Sequence, residues 1–306
     1  MKQLVWRKTK STWQVFRKAS IQFIANNPVN LAATTAYFAI FSLAPILIII
    51  ISVFGHFTGD ETVSAKLFEE LNLFIGPENT QFLSKAIENY QLKENSGVGA
   101  IIGGVFFLIS ATTLFSVVQD SINYIWRVKV KSKLKQGILI LAKYRLFSFG
   151  VILCLGFVLL ASMLVDAAIS LLKDFLKTYF SPDFVFLAHL VNIAFSLAIV
   201  TSVFALIYRF LPDLKVRWSA AWHGAFFTAL LFVIGKSIVG LIISNSNLGA
   251  VYGTASSLVI ILLWIYFMSL IFYFGVQLSR QYSRFHGHNN TPHSYAISFE
   301  ITPIER

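Results

Sequence analysis

His286 and His288, one residue apart, are the nearest this chain comes to a metal-binding spacing. A hydrolytic metal site needs several nitrogen and oxygen ligands held rigidly. Here Asn289 and Asn290 stand where an Asp-His pair would extend the pattern, and His56, His189, His223 and His293 are scattered along the chain. Paired catalytic carboxylates are missing too, Asp120 and Asp213 being the only candidates. Cys154 lies in an apolar run, where a thiol has no reason to ionise, and a single cysteine gives no internal disulfide. No Gly-rich loop with a following Lys is present to cradle a nucleotide. These residues predict a protein that is not an enzyme and that holds no metal and no cofactor.

A second set of polar residues stands inside apolar segments, where such groups mark either helix packing or a pathway. Thr113, Ser116, Asp120 and Asn123 recur at three- and four-residue steps and line one helix face. Asp120 reads either as an interfacial acid pairing with Arg127 or Lys129, or as an acid facing a cavity. Lys236 lies about 25 Å into its segment at about 1.5 Å per residue, with Gly240 and Ser244 on the same face. It either snorkels to the outer surface or faces the bundle. His189, Asn192 and Ser196 share a face in the same outer half. Tyr266, Ser269, Tyr273 and Gln277 form another stripe, for which interhelical hydrogen bonding is a sufficient reason. The candidate translocation path is therefore Lys236, Asp120, Asn123, His189, Asn192, Tyr266 and Tyr273.

The elements that must position these groups follow from composition. Apolar residues make up 56% of the 306 and charged ones 13%, against roughly a quarter in soluble domains. Mean hydropathy is +0.70. Six segments reach the length of about 20 residues that a spanning helix requires: 31–55, 97–124, 146–164, 184–211, 219–244 and 253–278. None alternates as a barrel strand does. The first begins too late, and without a small-residue cleavage site, to read as a secretory signal. Pro45 removes a hydrogen bond within the first span and allows a kink. Gly99 with Gly103, and Gly249 with Gly253, permit close backbone approach.

The net charge of +11 first suggests nucleic acid, but its placement argues against that. Lys and Arg concentrate before the first span and in the second and fourth connections, and the acids in the first. The positive-inside rule then predicts an all-α, six-span membrane protein with both termini cytoplasmic. Anionic lipid headgroups are the expected partners of Arg7, Lys8, Lys129, Lys131, Lys133 and Lys135. Trp6, Trp13, Trp126, Trp218 and Trp222 fall beside the same face. Residues 4–25 read as an amphipathic helix in the interface plane, with Trp6, Trp13, Phe16 and Phe23 on one face, ended by Asn26-Asn27-Pro28. Residues 61–92 read as two short helices of a small outer (periplasmic) cap, parted at Gly76-Pro77. Leu67, Leu71 and Phe74 share a face on one, and Phe82, Ala86 and Tyr90 on the other. Residues 281–306 read as a polar cytoplasmic tail, disordered from 295 onward. The expected domains are thus residues 1–28, 29–280 and 281–306.

The stretch Ala36-Tyr37-Phe38-Ala39-Ile40-Phe41-Ser42-Leu43-Ala44-Pro45 resembles the opening signature of the YihY/BrkB family of bacterial inner-membrane proteins. So do Asn123-Tyr124-Ile125-Trp126, Leu211-Pro212-Asp213 with Trp218 and Gly224, Gly235-Lys236, and Tyr252-Gly253 leading into Leu262-Leu263-Trp264-Ile265-Tyr266. Where that family usually reads Gly-Ala-Glu, this chain has Gly275-Val276-Gln277, which removes an acid. The resemblance covers about residues 15–280 and implies a six-span membrane protein tied to the cell envelope. The family's old ribonuclease BN label finds no support in the scattered histidines and acids described above. Three functions are open: a lipid or solute translocase, a scaffold that recruits envelope partners, and, last, a lipid-active enzyme. No internal repeat of the transporter kind is evident, and the helices enclose a path either alone or as a homo-oligomer.

Overall fold

Asn26-Asn27-Pro28 parts the first two helices, as its chemistry requires. Helix α1 spans Lys2–Ala25 and α2 spans Pro28–Thr58, with Pro28 in the first turn, where its missing N–H goes unneeded. Asn27 between them takes the left-handed backbone (φ 51°), which Asn tolerates better than most residues. The structure, a computed structural model, describes residues 2–91, 97–131, 150, 182–246, 251–288 and 290–300. Helices α3 (Asp60–Ile75) and α4 (Pro77–Gln91) follow, parted at Gly76. The long helices are α5 (Gly97–Trp126), α6 (Pro182–Phe210), α7 (Trp218–Ser244) and α8 (Ser256–Phe285). Strand β1 (Val128–Val130) pairs antiparallel with β2 (Ala296–Ser298), Lys129 opposite Ile297.

Among the described residues, three helices are long and apolar enough to cross a membrane: Pro28–His56 of α2, Trp218–Ile242 of α7, and α8. They coincide with the first, fifth and sixth expected spans. The second and fourth fall on α5 and α6, helices of 30 and 29 residues. The third, 146–164, lies outside the described residues except for Gly150. Pro45 is carried within α2 without ending it.

Helix α8 is the hub, packed against α7, α2, α1 and α5. Its closest approach is to α7, where a Cβ on Gly224 would stand 2.6 Å from the Gly275 carbonyl oxygen. Around that crossing Ile122, Ile125, Tyr208, Leu211, Ala221, Ala225 and Val276 form the largest buried cluster. The opposite side of α7 presents Val233, Ile234, Ile238, Leu241 and Ile242 outward, an apolar face that suits lipid and not water.

Three expectations need correction. First, the cap helices α3 and α4 pack onto the bundle through a face of α4 other than the one expected: Val63, Leu67, Leu83 and Ile87 are buried with Leu47, Ile50, Phe54, Phe115 and Ile261. The buried face of α4 is set by Leu83 and Ile87, while Phe82 is 42% exposed and Ala86 is exposed, because helix register follows the neighbour it meets. Second, α8 continues beyond the expected end at 278 to Phe285. Third, the tail expected to be disordered from 295 is ordered to 300. Lys131 and Phe299 donate backbone N–H groups to the Tyr295 and Arg127 carbonyls (2.9 and 3.0 Å), so β1 supplies the pairing that composition does not reveal. Residues 301–306 lie outside the described residues.

Candidate functional site: a buried polar seam

The polar stripe expected on the sixth span is the interior face of α8. Ser269, Tyr273, Gln277 and Gln281, each four residues from the next, are all buried. Spacing of four on a 3.6-residue turn keeps them on one side, and that side meets α1, α2 and α5. Tyr273 lies 2.5 Å from the Thr35 hydroxyl of α2. Asn26 donates Nδ2 to Gln277 Oε1 (3.2 Å), and Gln277 donates Nε2 to Gln22 Oε1 (3.2 Å). Gln281 also donates to Gln22. Nearer the middle of α2, Ser42 donates to the Ser110 carbonyl of α5 (2.5 Å). Beside this seam the Tyr208 hydroxyl donates to the Phe272 carbonyl (2.7 Å) and lies 2.8 Å from Thr228.

A second buried polar cluster centres on Asp213, which is 1% exposed in the loop between α6 and α7. Asn123 donates Nδ2 to its Oδ2 (2.7 Å) and accepts from its backbone N–H (2.8 Å). Gln119 and the Tyr295 hydroxyl donate to Oδ1 (3.2 and 2.9 Å), and His293 donates its N–H to the Asp213 carbonyl (3.1 Å). A buried carboxylate is tolerable when its lone pairs are met in this way. Burial, and then the Asp213 carboxylate, raise the Tyr295 hydroxyl above the usual phenol range, so it remains a donor. Arg127, at φ 61°, reaches back to donate Nη2 to Asn26 Oδ1 (2.6 Å) and lies over the Tyr124 ring.

The residues singled out in the sequence are only partly gathered here. Tyr273 and Asn123 lie in the buried network, and Tyr266 is half-buried one turn beyond Ser269. Asp120 is exposed, and no ion pair joins it to Arg127 or Lys129 among the described residues. Lys236 is half-buried on α7, beside Gly235, which abuts Ile271 of α8, and it is not part of the seam. His189 and Asn192 are carried on α6, but their side chains lie outside the described residues, as do those of Arg7 and Lys8. Lys133 and Lys135 lie outside altogether. Lys129 is exposed, and Lys131 donates Nζ to the Ser294 carbonyl (3.1 Å). Ser219 and His223 stand four residues apart on α7, yet no hydrogen bond joins them among the described residues; the imidazole stacks on Tyr282 at 4.0 Å.

Sequence reasoning missed the acceptor role of Asp213 and the part of Gln22, Asn26 and Gln281. The available signal was the four-residue spacing from Gln277 to Gln281, which extends the α8 stripe past the apolar limit of the span.

Long helices with outward apolar faces around a hydrogen-bonded polar seam define a helical membrane protein. The sequence profile of the Virulence factor BrkB family matches residues 20–297, and the chain belongs to that family. It is 26% identical over 255 residues to a UPF0761 membrane protein of Vibrio vulnificus, covering 81% of this chain and 75% of the relative. A UPF0761 membrane protein of Psychrobacter sp. is 28% identical over 271 residues, covering 88% of this chain and 48% of its own. One of Pseudomonas paraeruginosa is 27% identical over 261 residues, covering 84% and 60%. The chain thus spans three quarters of the first relative's length and about half to three fifths of the other two. No solved structure matches.

Proposed function

We propose that this BrkB-family protein is a six-span protein of the bacterial inner membrane, with both termini cytoplasmic, that translocates a lipid or solute of the cell envelope. The observation that supports the reading is the buried seam on α8, Ser269-Tyr273-Gln277-Gln281. Polar side chains in apolar surroundings are costly unless paired, and here they form a continuous file along the helix that most other helices contact. Lys236, Asp120, His189 and Asn192 remain candidates for the route, and the protein acts as a carrier, not as an enzyme. A homo-oligomer would complete a path that six helices leave open.

A scaffold that recruits envelope partners is the second reading, favoured by the acids on α3 and α4. Asp60, Glu61, Glu78 and Glu88 are exposed while the opposite faces are buried. Deleting these helices would not test that reading, since it would strip the core of Val63, Leu67, Leu83 and Ile87.

The deciding experiment compares export of lipids and solutes by cells holding wild type, Tyr273→Phe, Lys236→Ala or a quadruple variant (Asp60→Asn, Glu61→Gln, Glu78→Gln and Glu88→Gln), at equal membrane abundance. Translocation predicts loss of one exported species with Tyr273→Phe or Lys236→Ala and none with the acid variant. The opposite pattern favours the scaffold, and the translocation reading is abandoned.

A further inference from the structure

Three arginines at the tail end of the bundle have no role in either reading above. Arg127, Arg280 and Arg284 line a cavity of about 540 Å³ where the ends of α1, α5 and α8 meet β2. Arg280 is 5% exposed, and neither it nor Arg284 has a carboxylate or other hydrogen-bond acceptor among the described residues. Arg127 uses Nη2 on Asn26 and leaves Nη1 buried without an acceptor. On the same wall His288 Nδ1 and Asn290 Oδ1 are also buried and unpartnered. Among the described lining residues the only acid is the exposed Glu300.

Like charges gathered in a partly desolvated space repel one another, and a guanidinium nitrogen buried without an acceptor, as Arg127 Nη1 is, is disfavoured. An anion placed between them would relieve both penalties. The planar guanidinium fork matches the oxygens of a phosphate better than a single point charge does. We propose that this cavity binds a phosphate group, either the headgroup of an anionic phospholipid or a free phosphate compound. A second cavity of about 340 Å³ shares Gln22 and Arg284 with it and is lined also by Lys18, Gln281, Val15, Ile21 and Phe285. Val15, Ile21 and Phe285 on one side give an acyl chain a place beside the headgroup, and Lys18 adds a further positive charge. The site stands independently of the translocation reading: it requires only binding.

The test uses the full chain, purified in a neutral detergent and in nanodiscs. Inorganic phosphate is titrated against the first while thermal stability is followed. Retention of phosphatidylglycerol against phosphatidylcholine is measured in the second by native mass spectrometry. Wild type is expected to bind at least one probe, with affinity falling about tenfold in Arg284→Gln and further in Arg280→Gln/Arg284→Gln. Lys215→Gln removes the same charge from an exposed loop position and is expected to leave binding within about twofold. Saturable phosphate binding lost with the arginines identifies a free phosphate compound. Phosphatidylglycerol retention alone, lost the same way, identifies a headgroup. Binding of neither probe, or equal loss in Lys215→Gln, overturns the proposal. Arg284 is exposed, so its variant keeps the test decisive even if the Arg280 substitution impairs folding.

Discussion

Asp213 shows how much of the chemistry at a single residue depends on distant chain. Its carboxylate receives Asn123 and Gln119 from α5 and Tyr295 from the tail, partners 90, 94 and 82 residues away. Replacing it by Asn turns one acceptor into a donor that must face either the Asn123 amide or the Gln119 and Tyr295 donors. A buried donor–donor contact of this kind costs about 1–3 kcal/mol. Asp213→Asn is therefore expected to lower the thermal unfolding midpoint in detergent clearly. Tyr295→Phe, which removes one donor and leaves those of Asn123 and Gln119, is expected to lower it by a smaller step. Equal midpoints for wild type and Asp213→Asn would mean that these donors do not hold the carboxylate as described. In the sequence Asp213 stood out as one of two candidate carboxylates and as part of the Leu-Pro-Asp signature, neither of which points to its donors. Asn123 stood out by helical spacing, which reports neighbours three and four residues away and is silent about a loop 90 residues on.

At the scale of elements, periodicity succeeded where the partner of a helix face was lipid or another long helix, and failed where the partner was a short piece of chain. The turn at Asn26-Asn27-Pro28 and the break at Gly76 were legible because φ requirements are local. The faces of α4 were misplaced because Leu83 and Ile87 are selected by the short helix α3 together with α8 and α2, and the tail looked unstructured because its pairing partner β1 is only three residues long. The α7–α8 crossing is a further element that local spacing did not reveal, since Gly224 and Gly275 lie 51 residues apart and each reads as an ordinary helical glycine (275 − 224). A side chain at Gly275 would strike Thr228 and Tyr208 and disrupt the hydroxyl pair beside the seam. Gly275→Val is expected to cost about 1–3 kcal/mol by overpacking, seen as a lower unfolding midpoint and reduced yield in the membrane. Gly240 has nothing within 4 Å of its missing Cβ, so Gly240→Ala is expected to be neutral or stabilising by about 0.5–1 kcal/mol. If both substitutions behaved alike, the crossing would not be the close contact described.

For the whole molecule, the distribution of charge carries an orientation that helix packing alone does not. The tail, the end of α5 and the α6–α7 loop meet at one end of the bundle through Asp213, Arg127 and Tyr295, and α3 with α4 pack on the other clusters of the core. Basic residues concentrate at the first end and acids on α3 and α4. The positive-inside rule assigns the first end to the cytoplasm, and an even number of spans is what returns both termini there. Single cysteines introduced into a Cys154→Ser background test this directly. Glu61→Cys, at an exposed site on α3, should react with a membrane-impermeant maleimide in cells whose outer membrane alone has been opened. Glu300→Cys, exposed beside β2, should react only once the inner membrane is also permeabilised. Labelling of both from the same side would make the number of crossings between residues 61 and 300 even. Six spans with both termini inside require it to be odd, because 61 follows one crossing and 300 follows all six. The reverse pattern, with Glu300→Cys reacting first, would keep the span number and invert the protein. The arginine-lined cavity would then open outward, away from the anionic lipid surface of the cytoplasmic leaflet.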